Sequence, residues 1–124
     1  MVICSKCRQI TPPPKCENCG HDAADGEQVL RFDERYRLEN EAPLGKGTFA
    51  TVRVCRRRND NTRWAVKLVD LSRVSGAPEV RLKMRHSFLC EARTLDSFDH
   101  PNILTIDGYG CFDESTLFMV MDLL

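Results

Sequence analysis

Two cysteine pairs dominate the amino terminus: Cys4-Ser-Lys-Cys7, then eight residues, then Cys16-Glu-Asn-Cys19-Gly20-His21. A segment this short, interrupted by Pro12, Pro13 and Pro14 and with almost no apolar periodicity, cannot bury a core of its own and needs a staple to be ordered. Each CxxC can curl so that both sulfurs face one centre, and two such knuckles supply the four thiolates of a tetrahedral Zn²⁺ site. Four exposed reduced thiols are the plainer alternative. Cys4, Cys7, Cys16 and Cys19 are therefore the candidate metal ligands, with Gly20 allowing the turn after the second knuckle. His21 is more simply a bystander than a ligand. Disulfides fit less well, since no secretion signal follows Met1. Cys55, Cys90 and Cys111 stand apart in apolar surroundings and read as core residues.

Charge and composition remove several classes of function. Eighteen Lys+Arg balance eighteen Asp+Glu in 124 residues, which disfavours a globally basic nucleic-acid binder; few aromatics lie near the cysteines. No apolar run approaches the roughly 20 residues of a membrane span. The expectation is an intracellular chain, cytoplasmic or nuclear, without membrane insertion.

The composition shifts near residue 22. Residues 23–34 read as a polar linker carrying a small apolar patch at Val29, Leu30 and Phe32. Beyond it, Tyr36–Leu44 and Thr51–Arg56 flank a glycine turn and predict an antiparallel hairpin. Arg63–Val69 reads as a third strand after the turn-forming Asn59-Asp60-Asn61. Gly76-Ala77-Pro78 breaks the chain before a helix expected over about Val80 to Phe98, with apolar residues at Met84, Phe88, Leu95 and Phe98. Ile103–Cys111 and Leu117–Asp122 predict two further strands.

Within this frame stand two misplaced charges. Lys67 lies inside the apolar strand Trp64-Ala65-Val66-Lys67-Leu68-Val69 and shares a face with Ala65 and Val69. It must snorkel to solvent or meet an anion. Glu91 falls on the helix stripe Met84, Phe88, Glu91, Leu95, Phe98 and also needs a partner. The two can answer each other, although each alone reads equally as an edge residue. Upstream, Leu44-Gly45-Lys46-Gly47-Thr48-Phe49-Ala50-Thr51-Val52 joins two strands, and glycines there let backbone amides approach phosphate oxygens. Alone, that loop is a weak signal, and a tight hairpin turn without a ligand is its commoner explanation.

Together these residues resemble the amino-terminal lobe of the eukaryotic protein kinases. Leu44–Val52 is similar to the glycine-rich loop, with Ala50 at the third glycine, and Trp64-Ala65-Val66-Lys67 to the V-A-I-K strand. Glu91 precedes His100-Pro101-Asn102-Ile103 by nine residues, as the helix glutamate of the family precedes its H-P-N-I turn. Phe118–Leu123 resembles the strand entering the hinge, with Met121 at the gatekeeper position. The resemblance implies an α+β fold: a five-stranded antiparallel sheet with one main helix, plus a small zinc ribbon. The divisions would be 1–22 ribbon, 23–34 linker and 35–124 lobe. It implies ATP, with Mg²⁺ in a complete kinase, held by Leu44, Gly45, Lys46, Gly47, Thr48, Phe49, Ala50, Val52, Ala65, Lys67, Met121, Asp122 and Leu124. Lys67 would hold phosphates and Glu91 would orient Lys67. Residues Val69–Arg85 and the Val-Met-Asp hinge resemble the calmodulin-dependent and checkpoint-type serine/threonine kinases.

The 124 residues contain no H-R-D or D-F-G segment, and the string Ala77-Pro78-Glu79 stands before the expected helix rather than after a D-F-G, where the A-P-E of the family falls. The catalytic residues proper would be absent, and these residues alone are expected not to transfer phosphoryl. Protein substrates would belong to a complete parent, and the ribbon is a candidate surface for a protein partner. The competing class is a non-catalytic regulatory or interaction module built from ribbon and lobe. Arg56-Arg57-Arg58 reads as a solvated hairpin tip. Arg73, Arg81, Lys83, Arg85 and His86 make the start of the helix basic, a face where the resemblance places a phosphorylated activation loop.

Overall fold

A computed structural model describes residues 1–40, 42–74, 78–97, 105–113 and 115–123. Of the expectations above, those on Gly76-Ala77, Phe98, the His100–Ile103 turn and Leu124 lie outside the described residues. No helix is long and apolar enough to cross a membrane among those described.

The amino-terminal segment forms a three-stranded antiparallel sheet from β1 (Val2–Ile3), β2 (Ile10–Thr11) and β3 (Glu27–Gln28), in the order β2-β1-β3. Its interior is small: Val2, Cys4, Cys16 and Ala23 are buried together with Cys7 against them. Half or more of this core is cysteine, as expected of a segment that folds around its sulfurs.

Residues 23–34 have a linker's composition, but they are built into the fold. Besides β3, they contain buried Ala23, Val29 and Phe32. The short helix α1 (Phe32–Arg35) leads into β4 (Tyr36–Leu38). The Leu30 carbonyl accepts the Cys111 N–H at 2.9 Å, and Arg31 bridges Cys111 in parallel. Gly110 permits this approach, because a Cβ there would sit 2.1 Å from the Leu30 carbonyl oxygen.

The larger sheet then follows, with β5 (Gly45–Lys46), β6 (Ala50–Arg57), β7 (Arg63–Asp70), helix α2 (Pro78–Asp96), β8 (Ile106–Cys111) and β9 (Thr116–Met121). Its order is β4-β6-β7-β9-β8, antiparallel throughout, with β5 paired to β6. The expected strand over Tyr36–Leu44 is strand only at β4, and Gly45–Lys46 of the expected glycine turn form β5, so the sheet has six strands among the described residues rather than five. The break falls across Pro43, which has no N–H to offer a ladder.

Both faces of this sheet are covered. One face presents Val69, Leu117 and Met119 to Phe88, Leu89 and Ala92 of α2. The other gathers Cys55, Val66, Phe118 and Val120 against Phe32 and Tyr36. Helix α2 opens on Pro78, tolerated in a first turn, with Glu79 beside the positive helix end. Its buried residues are Arg85, Phe88, Leu89 and Ala92. The core stripe is therefore turned by about one residue, roughly 100°, from the one expected through Met84, Glu91 and Leu95. Cys90, expected in the core, is exposed because it lies on the face of α2 opposite the buried residues, with Sγ 3.5 Å from His86 Nε2. Cys55 and Cys111 are buried.

Candidate functional sites

The strand ladder sets the geometry of the first site. Val52 is paired with Lys67, and Lys67 with Met119; Ala65 is paired with Met121. Directly opposed residues share a face, so Val52, Ala65, Lys67, Met119 and Met121 all look toward the α2 side. On α2, the rotated stripe leaves Glu91 at the border between core and open groove. The Lys67 Nζ stands 3.8 Å from Glu91 Oε1, with the two side chains 32% and 50% exposed. Lys67 and Glu91, matched on sequence grounds as two charges needing partners, thus face one another. They do so at the edge of a groove and not inside the core.

The glycine turn overhangs this groove. Gly47 N–H donates to the Ala50 carbonyl at 2.7 Å and Leu44 N–H to that of Val52 at 2.7 Å, a tight hairpin whose tip, residues 44–48, is exposed. A Cβ on Gly45 would meet nothing within 4 Å, and one on Gly47 only the Ala50 carbonyl at 3.5 Å. Neither glycine is among the positive-φ residues. The chain's own packing therefore does not call for glycine at 45 or 47. Beneath lies a groove of about 520 Å³, lined by Phe49, Lys67, Val69, Met84, Phe88 and Glu91 among others. Chemically, it offers two primary ammonium groups, Lys67 held near the Glu91 carboxylate and Lys83 on α2, under exposed backbone: a place for an anion.

Met121 ends β9 beside Ala65. Asp122 is tied down by Thr105, whose N–H donates to Asp122 Oδ2 at 2.9 Å. Val52, on the same face, is half-buried, and Leu44 before the turn is 56% exposed.

The second site is the cysteine cluster. The four sulfurs lie within 4.8 Å of one another, with Cys4–Cys19 at 3.7 Å and Cys7–Cys16 at 3.6 Å. A tetrahedron with Zn–S bonds of about 2.3 Å has S···S edges of about 3.8 Å. The donor set thus fits a zinc ion, and the separations are far too long for S–S bonds of about 2.05 Å. The two knuckles repeat one another. Arg8 N–H donates to the Cys4 carbonyl and Gly20 N–H to that of Cys16, both at 2.9 Å. Arg8 (φ 65°) and Gly20 (φ 76°) are both left-handed, so arginine takes here a conformation better suited to glycine. Cys4 has a lowered thiol pKa, chiefly through the backbone N–H of Cys7. Although the His21 N–H favours its thiolate, Cys19 is pushed up to about 11 by burial and the neighbouring sulfurs. His21 engages through its backbone, its carbonyl accepting the Cys16 N–H at 2.8 Å.

Basic residues that the sequence leaves in solvent are engaged. Arg57 bridges Asp60 (2.5 Å) and Asp107 (2.6 Å) and lies 5.0 Å from the Trp64 ring centroid. Asp107 also accepts from the hydroxyl of fully buried Tyr36 at 2.7 Å. Burial, followed by this hydrogen bond and the carboxylate's charge, raises the Tyr36 pKa. Arg56 pairs with Glu39, and Arg58 Nε donates to the carbonyls of Asp33 and Tyr36. Arg85, expected on the basic start of α2, is buried against the ribbon. Apart from Arg57–Asp60, three residues apart, these partners are remote in the chain, so no sequence periodicity marks them.

Among known proteins, residues 38–124 match the protein kinase domain family. The chain is 38% identical over 81 residues to the tyrosine-protein kinase transforming protein Fps of Avian sarcoma virus (strain PRCII), covering 65% of this chain and 14% of that protein. The Fps protein of Fujinami sarcoma virus is likewise 38% identical over 81 residues, with 8% of its length covered. The serine/threonine-protein kinase dkf-1 of Caenorhabditis elegans is 27% identical over 113 residues, covering 91% of this chain and 14% of dkf-1. The chain thus spans a small part of these relatives.

Proposed function

Since the chain belongs to the protein kinase domain family, we propose that its groove under the glycine turn receives the phosphates of Mg²⁺-bound ATP, as the first lobe of a serine/threonine kinase. The observation that carries this is Lys67 held 3.8 Å from Glu91 beneath exposed Gly45–Thr48. The Lys67 ammonium would position the α- and β-phosphates, and Glu91 would hold Lys67 at that place. Backbone N–H groups of Gly45–Ala50 would cover the phosphates, with Phe49 lining the groove beside them. Val52, Ala65 and Met121 would line the adenine, Leu44 its edge, and the backbone of Asp122 and Leu124 its rim. In a complete parent the γ-phosphoryl would pass to a protein hydroxyl. Serine/threonine preference is supported by dkf-1, which aligns with 91% of the chain. The two Fps relatives, at higher identity over a shorter span, favour tyrosine as the second reading. Peptide arrays phosphorylated by a complete parent protein decide between them.

These 124 residues by themselves would bind nucleotide weakly and transfer nothing, because they contain no H-R-D base and no D-F-G carboxylate for magnesium. The ribbon would hold one Zn²⁺ through Cys4, Cys7, Cys16 and Cys19, whose sulfur spacing suits it. A solely regulatory module without nucleotide binding is the competing class. The test is titration of the chain with Mg²⁺·ATP, following backbone amide resonances. Shifts confined to residues 44–52, 65–69 and 119–122, and lost in Lys67→Met, are expected. No shift at the glycine turn at saturating nucleotide would refute the proposal.

A further inference from the structure

The ribbon does not sit apart from the lobe. Ile10, on β2, is 1% exposed and belongs to the same core cluster as Phe88, Leu89 and Ala92 of α2. Around this contact, Arg85 Nη1 donates to the Ile10 carbonyl at 3.2 Å, and Arg85 Nη2 donates to Glu17 Oε2 at 2.5 Å. The Arg85 side chain is only 9% exposed. Toward the helix end, Arg93 Nη2 donates to the Arg8 carbonyl at 3.1 Å. Between them, the Gln9 side-chain amide meets His86 Nδ1.

Every one of these ribbon groups lies at residues 8–10 or at 17, next to Cys7 and Cys16. The loop touching α2 is therefore held open at both ends by the inner pair of candidate ligands. The ribbon's own core is half or more cysteine, so apart from the pairing of β2 with β1 and the burial of Ile10 the loop is held by the two cysteine knuckles at its ends. On the helix, Arg85 and Glu91 are six residues apart, about 9 Å along the axis. A helix is rigid over that span, so whatever seats Arg85 also sets the reach of Glu91 to Lys67.

From this arrangement, the geometry points to the ribbon acting as an intramolecular clamp on α2. Zinc occupancy of the four cysteines governs, through Ile10, Glu17 and Arg85, how firmly Glu91 is presented to Lys67. This rests on the zinc site proposed above. Arg85 is a positioning residue: it touches neither nucleotide nor metal. The clamp also occupies part of the basic start of α2, so Arg85 is not available there to an external anion while the ribbon is seated. Loss of zinc frees the helix and uncovers that charge.

The test uses the full chain, with zinc content measured beside amide hydrogen exchange. Zinc-loaded protein is compared with protein stripped by a chelator, and with Glu17→Gln and Arg85→Gln, which leave all four cysteines in place. Stripping is expected to speed exchange of α2 amides (residues 82–95) by about 10- to 100-fold, the change that follows loss of a charge-assisted hydrogen bond at a buried group. Exchange in β6 and β7 should stay within about twofold on the same scale. Both variants should retain one zinc yet show faster α2 exchange. They should also show faster acylation of Lys67 by an amine-reactive reagent, which a purely local ribbon defect would not produce. If zinc binds but its removal leaves α2 exchange unchanged, the clamp is refuted while the metal site stands. If no zinc binds, both fall. If stripping speeds β6 and β7 as much as α2, the metal holds the whole chain together, and the specific clamp is wrong.

Discussion

Replacing Phe32 with alanine tests whether the segment between ribbon and sheet is structural. Phe32 is 3% exposed, and its ring centroid lies 5.5 Å from Tyr36, 5.1 Å from Phe112 and 5.4 Å from Phe118, the last edge-on. Truncating a buried phenylalanine costs about 3–5 kcal/mol. Three aromatic partners push toward the upper end, since each such pair is worth about 0.5–1.5 kcal/mol beyond its area. Half-buried Phe112 can move into part of the cavity, which pulls the other way. About 3–4 kcal/mol is the expected loss, a large fraction of the 5–15 kcal/mol of a typical domain. Urea unfolding read from Trp64, the only tryptophan, is the assay. With a slope of roughly 1.5 kcal/mol/M, the midpoint should fall by about 2 M. Phe32→Leu should cost less than about 1.5 kcal/mol. A loss below about 1 kcal/mol for the alanine variant would mean that residues 30–35 do not pack on the sheet.

Other perturbations have equally definite outcomes. Gly110→Ala should destabilise by about 1–3 kcal/mol in the same assay, since its Cβ meets the backbone oxygen of Leu30, which cannot swing aside as a side chain would. Elemental analysis should find one zinc per chain, and Cys16→Ser, which removes a buried ligand, should lower it well below one equivalent. Thiol alkylation at pH 8 on zinc-loaded protein should label exposed Cys90 first. Burial pushes the Cys55 thiol up to about 12, so it remains protonated throughout that range and should react only on unfolding. Burial raises the Cys111 thiol in the same direction. Rapid labelling of Cys55 in the folded chain would contradict the packing of β6 against Tyr36 and Phe118.

β6, β7 and β9 are legible from the amino-acid order alone: β6 alternates Ala50, Val52 and Val54 with polar residues, and β7 and β9 carry apolar residues on both faces. The pairing of Lys67 with Glu91 is legible for a different reason: each charge interrupts an apolar pattern, and interruptions need partners. The cysteine spacing carries its own geometry. What stays hidden depends on contacts remote in the chain. Arg85 reads as a solvent-facing charge on an amphipathic helix, and only the ribbon's Glu17 and Ile10 carbonyl make its burial tolerable. With Arg85 counted in the buried stripe of α2, Glu91 falls at the groove edge. Residues 23–34 look like a linker because their apolar content is one small patch, yet Leu30 and Phe32 of that patch pack in the cluster of Phe118 and Val29 in the cluster of α2. Likewise, nothing in Arg57 itself announces Asp107, fifty residues on.

The central claim, that Lys67 and Glu91 act as one unit on a bound phosphate, is tested most directly by a double-mutant cycle on nucleotide affinity. Mg²⁺·ATP affinity of the full chain would be measured for Lys67→Met, Glu91→Gln and the double variant. The pair stands 3.8 Å apart with both side chains in partial contact with water, so its contribution to fold stability should be about 0–1 kcal/mol, and all four proteins should unfold at nearly the same urea concentration. Affinity should behave otherwise. Glu91→Gln should weaken binding when Lys67 is present and have no further effect once Lys67 is methionine, giving a coupling energy of about 0.5–3 kcal/mol. Strictly additive losses, or nucleotide affinity indifferent to Lys67, would contradict the account.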